Sequence, residues 1–240
     1  TYDGETVFWE LDFDENGQIY IGTYPGGKIL RYDPMTRDVK DYGRLSDKAG
    51  ASYIRSIAYS QGFIYGGTNH GEIFKVDIST GEKESLASAL KETGFVYDLH
   101  IVDDQLLLAR FDTPEKRYVY DLRKNEWSDV VFENSTKGLP IPTESHNGKV
   151  YLPVNGSIKT LDIETYQVED TGMNYESFLR SANWIQSKDP ELPGKSIVKI
   201  NTDGDLYFFN PQTKSTKKVE SLLPPSASVT HKFKKGENGK

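Results

Sequence analysis

Apolar residues in this chain come in short runs with alternating polar partners, and each run is broken by a polar turn rich in Gly, Asp, Asn or Pro. Alternation of this kind predicts strands with one face buried, and the breaks predict tight connections between them. Five stretches share one layout: 19–43, 64–87, 106–130, 150–172 and 197–220. Each begins with an apolar strand, turns, runs through a second strand ending in Asp or Asn, turns again, and closes with a more polar third strand. A further strand precedes each stretch, at 7–14, 53–60, 95–102, 139–145 and 179–186. The 84–92 stretch alone has a helical look, and 187–194 lengthens one connection.

The residues that end the second strands are Asp33, Asp77, Asp121, Asp162 and Asn210, recurring every 41 to 48 residues. A repeat of this length with four strands is the signature of β-propeller blades. The expected fold is therefore all-β: a β-propeller of four-stranded blades at about 5–47, 51–92, 93–137, 138–178 and 179–225, forming one domain over 1–240. Residues 229–240 (VTHKFKKGENGK) overlay 7–18 (VFWELDFDENGQ), which predicts the first strand of a sixth blade. An unfinished blade leaves an unpaired edge, so the expectation is a piece of a ring of six to eight blades. A basic tail on a five-bladed ring is the alternative. The marker aspartates have a local role, because an Asx side chain accepts bonds from backbone N–H groups just ahead of it and closes a turn. That reading displaces metal binding or acid catalysis at these positions.

Composition sharpens the picture only a little. Of 240 residues 36% are hydrophobic and 12% aromatic, ample for a packed core. Fifteen tyrosines against eleven phenylalanines suit half-buried strands. The net charge of −7 disfavours nucleic acid and anionic membranes as partners, and no apolar run reaches a membrane span. With no cysteine, disulfides, thiol catalysis and cysteine-based metal sites are excluded. The four histidines lack ligand spacing, so neither a metal nor a cofactor is expected.

Candidate chemistry gathers where loops between strands would meet at one mouth of a propeller channel. Blade one places Tyr24-Pro25-Gly26-Gly27-Lys28 there, with Lys28 as a weak anion ligand. Blade two offers Tyr53, Arg55 and His70, blade three Tyr97, Arg110 and Asp112, and blade five Arg180 and Trp184. Arginine forks pair carboxylates and aromatic rings stack on sugar faces, so an anionic saccharide is the ligand such a set would take. His70 is the candidate acid–base residue for a lyase or hydrolase. Glu10, Asp98 and Asn183 are a further nominated set, for a metal-dependent lactone hydrolase. Three arginines in one place repel unless carboxylates lie between them, and Asp98 and Asp112 are the internal candidates. If those acids satisfy the arginines, the same residues are structural, and the chain is a propeller scaffold for protein partners without catalysis.

The stretch Gly22-Thr23-Tyr24-Pro25-Gly26-Gly27-Lys28, running into Arg31-Tyr32-Asp33-Pro34, resembles secreted bacterial propeller proteins of the quinoprotein-like and polysaccharide-lyase-associated kind. The resemblance covers blades one and two and fades to general blade pattern beyond. It implies a secreted or cell-surface bacterial protein acting on or near acidic polysaccharides. The tryptophan docking motifs of quinone-dependent dehydrogenases are missing, which argues against that cofactor.

Overall fold

The computed structural model describes residues 2–87, 90–113, 115–133, 141–175, 179–201 and 204–220, with the side chains of 180–182 excepted. Every regular element among them is a β-strand, and the strands form five antiparallel sheets. The first sheet comprises β1 (Val7–Phe13), β2 (Ile19–Tyr24), β3 (Lys28–Tyr32) and β4 (Val39–Arg44). The second holds β5 (Ile54–Ser60), β6 (Phe63–Thr68), β7 (Ile73–Asp77) and β8 (Lys83–Ser85). The third holds β9 (Val96–Val102), β10 (Leu106–Asp112), β11 (Glu115–Asp121) and β12 (Glu126–Glu133). Then come β13 (Lys149–Val154), β14 (Ser157–Asp162) and β15 (Val168–Asn174), followed by β16 (Leu179–Ser187), β17 (Gly194–Asn201), β18 (Leu206–Asn210) and β19 (Ser215–Val219). Each strand pairs with its neighbour in sequence, so every sheet is a meander of local hairpins.

The marker residues close one and the same turn in all five sheets. Asp33 Oδ1 accepts from Met35 and Thr36 N–H (2.8 and 3.3 Å), and Asp77 Oδ1 from Ser79 and Thr80 (2.7 and 3.0 Å). Asp121 does so from Arg123 and Lys124 (2.7 and 3.0 Å), and Asp162 from Glu164 and Thr165 (3.0 and 2.9 Å). Asn210 does the same for Gln212 and Thr213, at 2.9 Å each. The fourth residue past each marker then turns left-handed: Arg37, Gly81, Asn125, Tyr166 and Lys214, with φ between 55° and 82°. Only one of the five is glycine, so the side-chain acceptor and not the glycine defines this turn.

The Asp33, Asp77 and Asp162 carboxyls lie below the ordinary carboxylate range, Asp33 through the Gln18 side chain first and then the Met35 amide, Asp162 through the Thr165 amide first. For Asp77 the leading cause is the Ser79 hydroxyl, followed by the Thr80 and Ser79 amides. A depressed folded pKa contributes stability that is complete above the unfolded value, about 3.9, and is lost as pH falls through the folded one. Asn210 shows that an amide oxygen supports the same turn without titrating. Asp77→Asn should therefore keep the fold, and its urea midpoint should approach the parent's as the pH drops from about 5 to about 2.5. A gap between the two midpoints that stays constant over that range refutes the assignment.

Two sequence expectations change. Within 84–92 the start is strand and not helix, Lys83–Ser85 being the outermost strand of its sheet; Leu90 N–H bonds Ala87 O (3.0 Å), and 88 and 89 lie outside the described residues. The fourth meander also lacks a regular first strand in its described part, 141–145. Thr143 alone lies along β13, its N–H bonding Tyr151 O and its hydroxyl accepting from Tyr151 N–H, at 3.0 Å each. Pro142 has no N–H to continue a ladder. Residues 229–240 lie outside the described residues, and so does the sixth-blade strand expected there.

The chain divides into two compact units, Thr1–Val131 and Phe132–Lys240. In the first, successive sheets pack face to face. Tyr20, Ile29, Tyr42 and Leu45 of the first sheet and its following loop meet Ile54, Ile57, Ile64 and Val76 of the second. The second and third sheets bury Ala58, Tyr65 and Ile73 against Val96, Leu99, Leu107, Phe111 and Tyr120. The strands β1, β5 and β9 adjoin as a result. In the second unit, Tyr151, Ile158 and Met173 pack against Leu179, Trp184, Ile197 and Phe209.

Candidate functional site

The feature that singles out one part of the first unit is a set of three β-bulges at matching places. On β1 the register passes from Phe8↔Thr23 to Glu10↔Gly22, leaving Trp9 unmatched. On β5 it passes from Ile54↔Thr68 to Ser56↔Gly67, leaving Arg55 unmatched. On β9 it passes from Val96↔Phe111 to Asp98↔Arg110, leaving Tyr97 unmatched. A bulge inserts one residue into one strand and re-aims its side chain. Because β1, β5 and β9 adjoin, the three re-aimed side chains meet.

They meet as a ladder of alternating rings and cations. The guanidinium carbon of Arg55 lies 4.8 Å from the Trp9 ring centroid and 4.2 Å from that of Tyr97. Arg110 follows at 4.7 Å from the Tyr97 centroid. Tyr53 sits beside the ladder with its ring against Trp9 (5.2 Å), Tyr24 (5.1 Å) and Phe95 (6.0 Å). Burial pushes the Tyr53 phenol up, against the pull of the Arg55 charge. The ladder reaches the surface: Trp9 is 47% exposed and Tyr97 38%.

The charges sort themselves differently from the sequence expectation. Arg110 pairs with Glu115 at 2.5 Å, and Asp98 is taken by Arg117 at 3.0 Å, whose side chain is 1% exposed. Among the described residues Asp112 pairs with no arginine, and its Oδ1 is buried without a hydrogen-bond partner. Among the described residues Arg55 has no carboxylate within 4 Å and donates no hydrogen bond. Two ring centroids lie 4.8 and 4.2 Å from its guanidinium carbon, and no described residue takes its N–H groups.

Lys28, His70 and Trp184, also expected at the site, have partners of their own. Lys28 is held by Asp3 and Asp41 at 3.0 Å each. His70 bonds through its backbone, N–H to Thr68 Oγ1 (3.1 Å) and carbonyl to Lys48 Nζ (2.9 Å). Its Nε2 is buried without a hydrogen-bond partner among the described residues, and no hydrogen bond, ion pair or ring contact joins it to Arg55, Tyr97 or Arg110. Trp184 belongs to the core of the second unit, 9% exposed, with its indole N–H on Glu144 O (2.9 Å). Arg180 lies where β16 has its own register irregularity, between Leu179 and Ala182, but its side chain is outside the described residues. Among the described residues no group of three or more His, Cys, Asp or Glu is placed to hold a metal. A surface cleft elsewhere on the first unit is lined by Phe63, Lys75, Asp77, Glu82, Lys83 and Glu84. Its lysines are already engaged, Lys75 with Asn125 and Lys83 with Arg44 O, so it offers less chemistry than the ladder.

Trp9 and Glu115 are absent from the sequence expectation. Trp9 was legible in principle, since 8–10, 54–56 and 96–98 align within the repeat and set it level with Arg55 and Tyr97.

No protein-family model matches this chain, and no curated protein matches it. Among solved structures, a chain of one titled "Crystal Structure of Mitotic Checkpoint Complex" is similar over 90% of this chain, with a TM-score of 0.64 and 12% identity. This chain spans 64% of that one's length. At such identity the likeness concerns fold alone. Together with the five meander sheets it makes this a protein of β-propeller-like, all-β architecture.

Proposed function

We propose that the ladder of Trp9, Arg55, Tyr97 and Arg110 is a binding face for an anionic saccharide. The observation that carries it is Arg55, a cation between two half-exposed rings and without a carboxylate partner among the described residues. A guanidinium whose faces are covered still offers a planar fork of donors, the shape a carboxylate takes, and rings beside it suit the apolar faces of sugars. The reading is of binding. No bond-cleaving step is attached to it, because no hydrogen bond, ion pair or ring contact links His70, the expected acid–base residue, to the ladder.

Calorimetry of galacturonate oligomers with the 240-residue chain tests this. Arg55→Ala should cost about 1.5–3 kcal/mol of binding, the worth of a charge-assisted contact, and added salt should weaken the parent complex. Arg110→Ala should cost less, because Glu115 already occupies that cation. Equal affinity for neutral oligomers, or indifference to Arg55→Ala, overturns the proposal.

A second reading, a surface for protein partners, draws on β1, where Phe8, Leu11 and Phe13 are each at least half exposed. We also read the five sheets as successive blades. Leu11 stands two residues past its bulge, as Ile57 and Leu99 do, and those two pack on the preceding sheet. A crystal structure whose sheets do not radiate from a common axis would dispose of the blade reading.

A further inference from the structure

We infer that the occupant of this face spans at least two sugar residues, one stacked on the outer face of Trp9 and its neighbour paired through a carboxylate with Arg55. The inference rests on the anionic-saccharide reading and adds the ligand's minimum length and the residue that sets it. Tyr97 is the poorer platform: its ring already carries two guanidinium groups, at 4.2 and 4.7 Å, and is less exposed than Trp9, 38% against 47%. Trp9 carries a single cation, 4.8 Å from its centroid, and Tyr53 tilted against it at 5.2 Å; both come from the 53–55 segment, and with Trp9 still 47% exposed the face turned away from that segment is the one left for a sugar.

Distance then decides the length. A sugar stacked on that open face has its carbons about 3.5–4.0 Å from the indole. Its ring therefore lies about 8 Å from the Arg55 guanidinium carbon, with the indole between them. A charge-assisted N–H···O contact needs about 2.7–2.9 Å, and a uronate carries its carboxylate near the plane of its own ring. One residue cannot make both contacts. The charged group has to come from the adjoining sugar, passing around the edge of the indole.

The test measures galacturonic acid, its dimer and its tetramer against the 240-residue chain, Trp9→Ala, Trp9→Phe and Arg55→Ala, by calorimetry and tryptophan emission. Trp127 and Trp184 have their indole N–H groups bonded to Leu86 O and Glu144 O, so a change in emission on binding reports Trp9. The monomer should bind weakly, require Arg55, leave the emission unmoved, and ignore Trp9→Ala. The dimer and tetramer should shift the emission to the blue and lose about tenfold in affinity with Trp9→Ala, the scale of one aromatic stacking contact. Trp9→Phe should recover most of that loss. Oligomer binding that needs Arg55 but ignores Trp9→Ala refutes the two-residue site and leaves the anionic reading standing. Monomer and dimer of equal affinity, both weakened by Trp9→Ala, refute it as well. Oligomers that shift Trp9 whether or not Arg55 is present sink the anionic reading instead, and no binding by any of the three ligands overturns both.

Discussion

Asp98→Ala should cost about 3–5 kcal/mol of stability, the penalty for leaving one member of a buried ion pair behind. Arg117, the member left behind, is 1% exposed and reaches Asp98 Oδ2 at 3.0 Å. Burial pulls the Arg117 pKa down to about 10, and the Asp98 charge opposes that fall. Removing the carboxylate leaves burial less opposed, with Arg110 directly across the strands from Arg117 adding repulsion. Arg117→Met, which removes the cation and keeps an apolar stem, should cost less, since well-packed apolar replacements of buried ions are often tolerated. Urea unfolding combined with hydrogen exchange of the β9, β10 and β11 amides measures both. If Asp98→Ala costs under about 1 kcal/mol, the pair behaves as a surface pair does and its burial has been misjudged.

Gly67→Ala should cost about 3 kcal/mol, the upper part of the range for overpacking a filled core. A Cβ at Gly67 would stand 2.4 Å from Ser56 Oγ and 2.4 Å from Val96 Cγ1, with Val96 Cβ at 2.6 Å. These neighbours cannot easily step aside, because Ser56 Oγ donates to Val96 O at 2.9 Å and so ties β5 to β9. The adjacent Gly66→Ala should cost less: its Cβ would press on Leu45 Cδ1 at 2.6 Å, the far end of a side chain that can rotate. Gly67 also pairs with Ser56, the residue after Arg55, so strain there should disturb the ladder. Urea midpoints of the two variants, with galacturonate binding as a second reading, check the order. Gly66→Ala costing as much as Gly67→Ala would contradict the argument from mobility.

Much of the fold was legible because its signals are short-range. Asp33, Asp77, Asp121, Asp162 and Asn210 each bond backbone N–H groups two and three residues on, so their role follows from chain-local chemistry. The hairpins follow from alternation between such turns. The fourth sheet was misread where Pro142 interrupts an otherwise regular repeat, a case where the local rule on proline outweighs the period. The ladder was legible in part. Tyr53, Arg55, Tyr97 and Arg110 were named from their places in the repeat, and the structure brings them together. Trp9 stands level with Arg55 and Tyr97 in the repeat, and it is the bulge after Phe8 that re-aims it.

What the sequence determined by itself is therefore the repeat, the all-β class, the position of each Asx turn, and which residue types stand level with one another in successive repeats. Which acid neutralises which arginine was decided only by the tertiary structure. Glu115 reaches Arg110 and Asp98 reaches Arg117 because β9, β10 and β11 are paired in one register, Arg110 facing both Asp98 and Arg117. Arg55 was left to the rings for the same reason: three bulges, each a one-residue slip, turned Trp9, Arg55 and Tyr97 toward one another. A turn is settled by bonds within about four residues. A cross-strand pair depends on register, and a single inserted residue sends a side chain to the other face.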